Sequence, residues 1–187
     1  MIGREKALRL LHERMQSQNL RKHCYGVEAV MRALAKYFKE DEDRWGIVGL
    51  LHDGDYESTK DDPGKHAKLM AGWVRELGEM DEKLLTGIES HGWFHEGKLP
   101  QTKMQWALYC CDELTGLIVA VTLVRPTKKL SDVTVENILD KWNQKSFAGG
   151  VDRTQIEKCE KELGIPLPDF IKIALTAMQG IAVDLGL

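Results

Sequence analysis

The chain has few of the features that mark a disulfide scaffold, a zinc finger or a secreted protein. Its 187 residues include only four cysteines, which are Cys24, Cys110, Cys111 and Cys159. No two of them stand at the C-x-x-C spacing that a structural zinc site uses. The first residues, Met1 to Glu5, are charged at once and do not resemble a signal peptide. We therefore predict reduced thiols in a cytoplasmic protein.

An excess of positive charge and a long hydrophobic run are also lacking. The net charge is −3 and the sequence pI is about 6.1, which gives no electrostatic footprint for a nucleic-acid duplex. The longest apolar run, 114–124, has about eleven residues, whereas a membrane-spanning helix needs about twenty. We expect neither a duplex nor a membrane among the partners.

The pattern of a β-protein is missing as well. No segment shows sustained alternation of apolar and polar residues, so no strand is predicted. The five prolines all lie where helical periodicity breaks, and proline is excluded from helix interiors. The sequence predicts an all-α, single-domain bundle with helices at 3–18, 20–39, 41–53, 63–78, 81–91, 101–125, 132–144, 152–163 and 168–184.

Polar side chains on the apolar faces of these helices are the most informative feature of the chain. Four of them are His23, His52, Asp53 and Asp112. Each stands at helical spacing from apolar residues, as His23 does from Val27 and Val30. Burying a polar group without a partner costs about 2–7 kcal/mol, and a charged group costs more. A divalent metal bound between the four side chains would explain why they converge.

Two further histidines, His66 and His91, also fall at helical spacing from apolar residues. For each, the alternative is a core histidine that bonds to a backbone carbonyl. Imidazole nitrogen combined with carboxylate oxygen suits Mn, Fe, Co, Ni or Zn, and Mg also fits a carboxylate-rich position. The full set of candidate metal ligands is His23, His52, Asp53, His66, His91 and Asp112.

Three segments carry these residues in a recognisable order: Arg21–Val30 around His23, Gly49–Asp55 around the His52-Asp53 pair, and Cys111–Leu114 around Asp112. In this order and spacing the chain resembles the HD superfamily of metal-dependent phosphohydrolases. The resemblance covers roughly residues 20 to 125. Many relatives continue the motif as His-Asp-Ile-Gly, whereas this chain reads His-Asp-Gly-Asp at 52–55.

The resemblance implies a helical bundle of the HD-domain type with additional C-terminal helices. Residues 1–19 would form an N-terminal helix and residues 20–125 the metal-binding core. Residues 126–187 would pack on the same core or form the contact of a homodimer.

The resemblance also implies hydrolysis of a phosphate ester or anhydride of a small molecule by metal-activated water, and we expect this molecule to be a nucleotide. One or two divalent transition-metal ions would be bound. If His66 and His91 are ligands, Asp53 would bridge two ions about 3.5–4 Å apart. Asp53 and His91 are the predicted catalytic residues, and His91 would hold the second ion or assist proton transfer to the leaving group.

Two alternatives stay open. Some proteins of the HD fold hold a di-iron centre and oxidise C–H or C–P bonds. A non-catalytic, metal-stabilised module that senses a nucleotide is the other alternative.

The remaining polar candidates are predicted to be surface residues. His95 is interpreted as an exposed loop histidine and His12 as a surface residue. Asp55 and Glu57 are interpreted as part of an acidic, solvated loop. The alternative for them is a role in support of the site or as a general acid.

Overall fold

The computed structural model describes residues 1–144 and 146–187, and all regular structure within these residues is helical. The predicted all-α fold is therefore confirmed. The α-helices are, in chain order, α1 (Arg4–Arg14), α2 (Gln18–Phe38), α3 (Glu42–Leu51), α4 (Tyr56–Thr59), α5 (Lys68–Glu76), α6 (Glu82–Glu89), α7 (Lys103–Leu123), α8 (Val135–Trp142), α9 (Arg153–Lys158), α10 (Leu167–Gln179) and α11 (Ala182–Leu185).

Two long helices, α2 and α7, stand at the centre of the bundle. Helix α2 packs against α3, α7 and α10, and α7 also packs against α9. The buried apolar side chains form a cluster that draws on helices from α1 to α11. The division of the chain at residues 19 and 125 stays a prediction.

Helix α7 is apolar because it lies inside this cluster. By length and composition it is the one helix in the described part of the chain that could cross a membrane. However, 56% of its most apolar stretch is buried inside the protein. Packing against α2 and α9 accounts for that composition.

Helices α2 and α3 approach each other closely, which brings two of the predicted ligands together. A Cβ atom added at Gly49 would lie 3.0 Å from the carbonyl oxygen of Val27 and 3.1 Å from Cα of Glu28. Only a residue without a side chain fits between backbones this close. Glycine at position 49 therefore allows the end of α3, where His52 lies, to approach His23 on α2.

Aspartate caps fix where several helices begin. Asp41 accepts a hydrogen bond from the backbone N–H of Arg44 at the start of α3. Asp81 and Asp152 cap α6 and α9 in the same way. Such caps satisfy N–H groups that have no partner within the helix.

The predicted helix over 63–78 is interrupted. Pro63–Lys65 forms a 3₁₀ turn, His66 is extended, and Ala67 has a left-handed backbone with φ of 65°. Helix α5 begins only at Lys68. The helical periodicity that links His66 with the apolar residues after it was therefore wrong as a description of the local structure.

The other differences concern the ends of helices. The predicted helix 81–91 ends at Glu89 and continues as a 3₁₀ turn, Ser90–Glu96, which contains His91 and His95. The predicted helix 152–163 is α9 followed by a π-helical turn, Cys159–Leu163. The predicted helix 168–184 is divided between α10 and α11, and α4 was not predicted.

Candidate metal centre

The structure brings all six predicted ligand side chains together. Five of them line a cleft, and the sixth, His52, is fully buried. Helix α2 contributes His23, the end of α3 contributes His52 and Asp53, and α7 contributes Asp112. The other two come from short segments: His66 lies before α5 and His91 lies in the 3₁₀ turn after α6.

Asp112 joins the two histidines of α2 and α3. Its Oδ1 lies 2.8 Å from His23 Nε2 and 3.4 Å from His52 Nε2. The three ligand atoms are close enough to one another to hold one metal ion. A mixed set of imidazole nitrogen and carboxylate oxygen is typical of divalent transition-metal sites.

The two carboxylate oxygens of Asp53 face different pairs of histidines. Oδ2 lies 3.8 Å from His23 Nε2 and 3.7 Å from His52 Nε2. Oδ1 lies 3.1 Å from His91 Nε2 and 3.2 Å from His66 Nε2. Asp53 therefore stands between two half-sites, one formed with α2 and α7 and one formed by the short segments.

The ring of His52 is oriented by its own helix. Its Nδ1 donates a hydrogen bond to the carbonyl oxygen of Gly49 at 2.8 Å, which leaves the lone pair on Nε2. The ring is fully buried, and Nε2 has no hydrogen-bond partner. Because a buried polar atom is almost always satisfied, this free nitrogen supports a metal ion as its partner.

The ring of His23 is fixed in a similar way. Thr115 Oγ1 donates to the carbonyl oxygen of Asp112 at 2.7 Å, so it accepts from His23 Nδ1, which lies 3.3 Å away. With Nδ1 held, Nε2 points towards the carboxylates. Hydrogen bonds of this kind to the far nitrogen are typical of metal-binding histidines.

The negative charge of the cluster raises the pKa of two histidines. Burial alone would lower the pKa of His23, but the hydrogen bond to Asp112 and the charge of Asp53 raise it to about 9. Burial opposes the same effect at His66, whose pKa rises to about 9 through Asp53 and Asp55. The cluster therefore favours a bound cation.

The pKa values of both central carboxyl groups move the other way. Burial would raise the pKa of Asp53, but the hydrogen bonds from His66 and His91 hold it well below the ordinary value. The pKa of Asp112 is likewise lowered against the effect of burial, chiefly by its hydrogen bond with His23. Both groups are in the ionised form that a metal ion requires.

Asp55 does not lie in a solvated loop, contrary to expectation. It is fully buried, and its Oδ1 accepts a hydrogen bond of 2.9 Å from His66 Nδ1. Glu57 also has a structural contact, since its carboxylate accepts from the backbone N–H groups of Gln16 and Ser17. The acidic turn after the His-Asp pair is thus folded into the protein.

The two histidines outside the set are exposed. His12 bonds through Nε2 to Tyr25 Oη at 2.6 Å, away from the cluster. His95 lies on the cleft wall, with its ring centroid 6.1 Å from that of His66. Lys60 also lines the cleft, and no sequence pattern distinguished this lysine from the others on the surface.

A family model described as the HD domain matches residues 20–120, more than half of the chain. The chain belongs to the HD-domain family. The predicted resemblance to the HD superfamily of metal-dependent phosphohydrolases is confirmed. No curated protein and no solved structure matches the chain.

The cleft above the centre extends beyond the matched HD domain. It has a volume of about 770 Å³, within the usual range for small-molecule sites. The HD-domain residues Leu108, Tyr109 and Gly116 form part of one wall. Val151 and Gln155, which follow the matched region, complete it.

Proposed function

We propose that this HD-domain protein is a metal-dependent phosphohydrolase that cleaves a phosphate ester or anhydride of a small nucleotide. The proposal rests on one observation above all. His52 Nε2 is a buried nitrogen without a hydrogen-bond partner, and it faces two ionised carboxylates in the cluster of six ligand side chains. A divalent cation satisfies the nitrogen and the carboxylates at the same time.

His23, His52, Asp53 and Asp112 would hold the first ion. The arrangement of Asp53 supports a second ion, held by its other oxygen together with His66 and His91. In this arrangement Asp53 would bridge the ions, because its two oxygens face different histidine pairs. Bound ions of this kind supply an activated water and neutralise charge on the phosphoryl group.

The protein side chains would orient the substrate and exclude water from the centre. Asp53 fixes the geometry of the centre between the two histidine pairs. His91 lines the cleft and lies 3.1 Å from Asp53, so it can hold the second ion or, in a site with one ion, pass a proton to the leaving oxygen. Lys60 and His95 line the cleft and would contact the phosphate.

The cleft supports a substrate of nucleotide size. Its volume fits a small organic molecule, and its wall combines the apolar Leu20 and Leu108 with the aromatic Tyr109. The sugar and base of a nucleotide would find both apolar contact and hydrogen-bonding groups there. A second phosphate would need further cations, and Lys60 is the one lysine or arginine among the described residues that line the cleft.

The test is a phosphatase panel of nucleotides and dinucleotides with Mn, Co, Fe, Mg and Ni, combined with elemental analysis. We expect turnover with at least one metal and loss of both metal and turnover in Asp53→Ala. Asp61→Asn, which changes an exposed aspartate in the same region, is the matched control and should retain both. Unchanged metal content in Asp53→Ala would overturn the proposal.

These measurements, together with oxygen uptake and nucleotide binding, separate the two alternatives. About two iron ions per chain with oxygen uptake and no phosphatase activity would select the di-iron oxygenase. Nucleotide binding without turnover, across all five metals, would select the non-catalytic module.

A further inference from the structure

The two halves of the centre rest on different kinds of support. His23 and Asp112 lie within the long helices α2 and α7, which pack directly against each other. His52 follows α3, which packs closely on α2. These ligands are therefore fixed by the core of the bundle.

His66 does not lie within a regular helix. It follows the 3₁₀ turn Pro63–Lys65, and the next residue, Ala67, has the left-handed backbone that non-glycine residues rarely adopt. Such a conformation persists only where the surroundings hold it. The position of His66 must be fixed by something other than regular secondary structure.

Asp55 provides that support. Its Oδ1 accepts from His66 Nδ1 at 2.9 Å and from the backbone N–H of Ala67 at 3.1 Å. Its Oδ2 accepts from the backbone N–H of Met70 at 2.9 Å. One fully buried carboxylate thus fixes the histidine ring, the left-handed residue and the first turn of α5.

A second contact limits the backbone of His66 from the other side. A Cβ atom added at Gly92 would collide with the carbonyl oxygen of His66. The turn that carries His91 is therefore packed directly against the segment that carries His66. In this arrangement Nε2 of both histidines lies close to Asp53 Oδ1, at 3.2 Å for His66 and 3.1 Å for His91.

We propose that Asp55 is a positioning residue that sets the affinity of the His66–His91 half of the centre, and that the two halves therefore bind metal with unequal affinity. The inference rests on the proposed metal centre. A carboxylate that accepts from Nδ1 fixes the tautomer with the lone pair on Nε2 and makes that nitrogen a better ligand. The half held by α2, α3 and α7 does not depend on Asp55.

The experiment is a calorimetric titration of the metal-free protein with Mn²⁺ alone, with the bound metal counted by elemental analysis. We expect two ions of unequal affinity in the unaltered protein. The weaker ion is the one in the His66–His91 half. In Asp55→Asn it should bind about 10- to 100-fold less tightly, while the tighter ion, held by α2, α3 and α7, is unaffected. An amide cannot serve all three donors, because one of the two carboxylate oxygens becomes an NH₂ group.

Asp61→Asn is the matched control and should leave both affinities unchanged. Equal loss of both ions in Asp55→Asn, or no change in either, would overturn the inference while leaving the proposed metal centre intact. Failure of the unaltered protein to bind Mn²⁺, Co²⁺, Fe²⁺, Mg²⁺ or Ni²⁺ would instead overturn the metal centre, and the inference with it.

A measurement on the unaltered protein covers the case in which Asp55→Asn does not fold. In the Zn²⁺-loaded protein with ¹⁵N-labelled histidine, NMR should show His66 protonated at Nδ1 and bound to metal through Nε2. A His66 ring with the proton on Nε2 would overturn the inference.

Discussion

The imidazole of His52 donates from Nδ1 to the carbonyl oxygen of Gly49, three residues earlier in the chain, at 2.8 Å. This bond determines which nitrogen of a fully buried ring is free, and the free nitrogen has no partner in the protein. The helix end that presents the His-Asp pair therefore also selects the tautomer of the histidine. Local backbone structure and ligand chemistry are fixed by the same few residues.

We expect His52→Ala to lose more than about nine-tenths of its bound metal, because the variant lacks the buried nitrogen at the centre of the cluster. His95→Ala is the matched control, since His95 lies on the exposed cleft wall. Elemental analysis after gel filtration measures both. Equal metal content in the two variants would contradict the assignment of His52 as a ligand.

The sequence predicted the helical fold and the meeting of the ligands from α2, α3 and α7, because regular helices dominate those segments. The apolar spacing around His23 corresponds to a real helix face, and Asp112 lies on a helix that packs against it. Long helices with a consistent periodicity leave little freedom in where a side chain points.

The support of His66 could not be predicted in the same way. Its helical spacing was coincidental, since α5 begins after it and Ala67 interrupts the helix. The role of Asp55 depends on contacts across 11 to 15 positions of irregular chain, which leave no periodic signal. Acidic composition near Glu57 favoured a solvated loop, but tertiary hydrogen bonds override composition.

The surroundings of Gly49 and Gly72 predict opposite effects on stability when each is replaced by alanine. Gly49→Ala should destabilise the protein by about 1–3 kcal/mol, because the new methyl group would press on the backbone of α2. Gly72→Ala should stabilise it by about 0.5–1 kcal/mol, because Gly72 lies within α5 with nothing near its Cβ position. Urea unfolding measures both, and effects of the same sign would contradict this account.

The stability of the protein should fall in acid, in part through Glu79. Burial would raise the pKa of Glu79, but hydrogen bonds from the backbone N–H groups of Ile2, Met80 and Asp81 lower it. A carboxyl group whose pKa is lower in the folded state stabilises that state above its unfolded pKa of about 4.3. The contribution is lost as the pH falls through the pKa of the folded state.

Glu79→Gln should therefore be less stable than the unaltered protein at pH 7, and the difference should shrink between about pH 5 and pH 3. Urea unfolding across this range measures the difference. Glu76→Gln, at an exposed position near the end of α5, should follow the unaltered protein at every pH. A constant difference for Glu79→Gln would show that its charge has no part in the effect.

The cleft wall predicts how substrate size is controlled. A Cβ atom at Gly116 would meet only Cγ2 of Val151, at 3.9 Å, so a larger side chain there can extend into the cleft. We expect Gly116→Leu to lower kcat/KM for a nucleoside monophosphate by roughly tenfold or more through KM, because the space for the sugar and base is reduced. The value of kcat/KM for a small phosphate ester should change much less, since the metal ligands are untouched.

Gly72→Leu, on the exposed face of α5, controls for a general effect of leucine. Equal losses for the large and the small substrate would show that Gly116 does not line the substrate site.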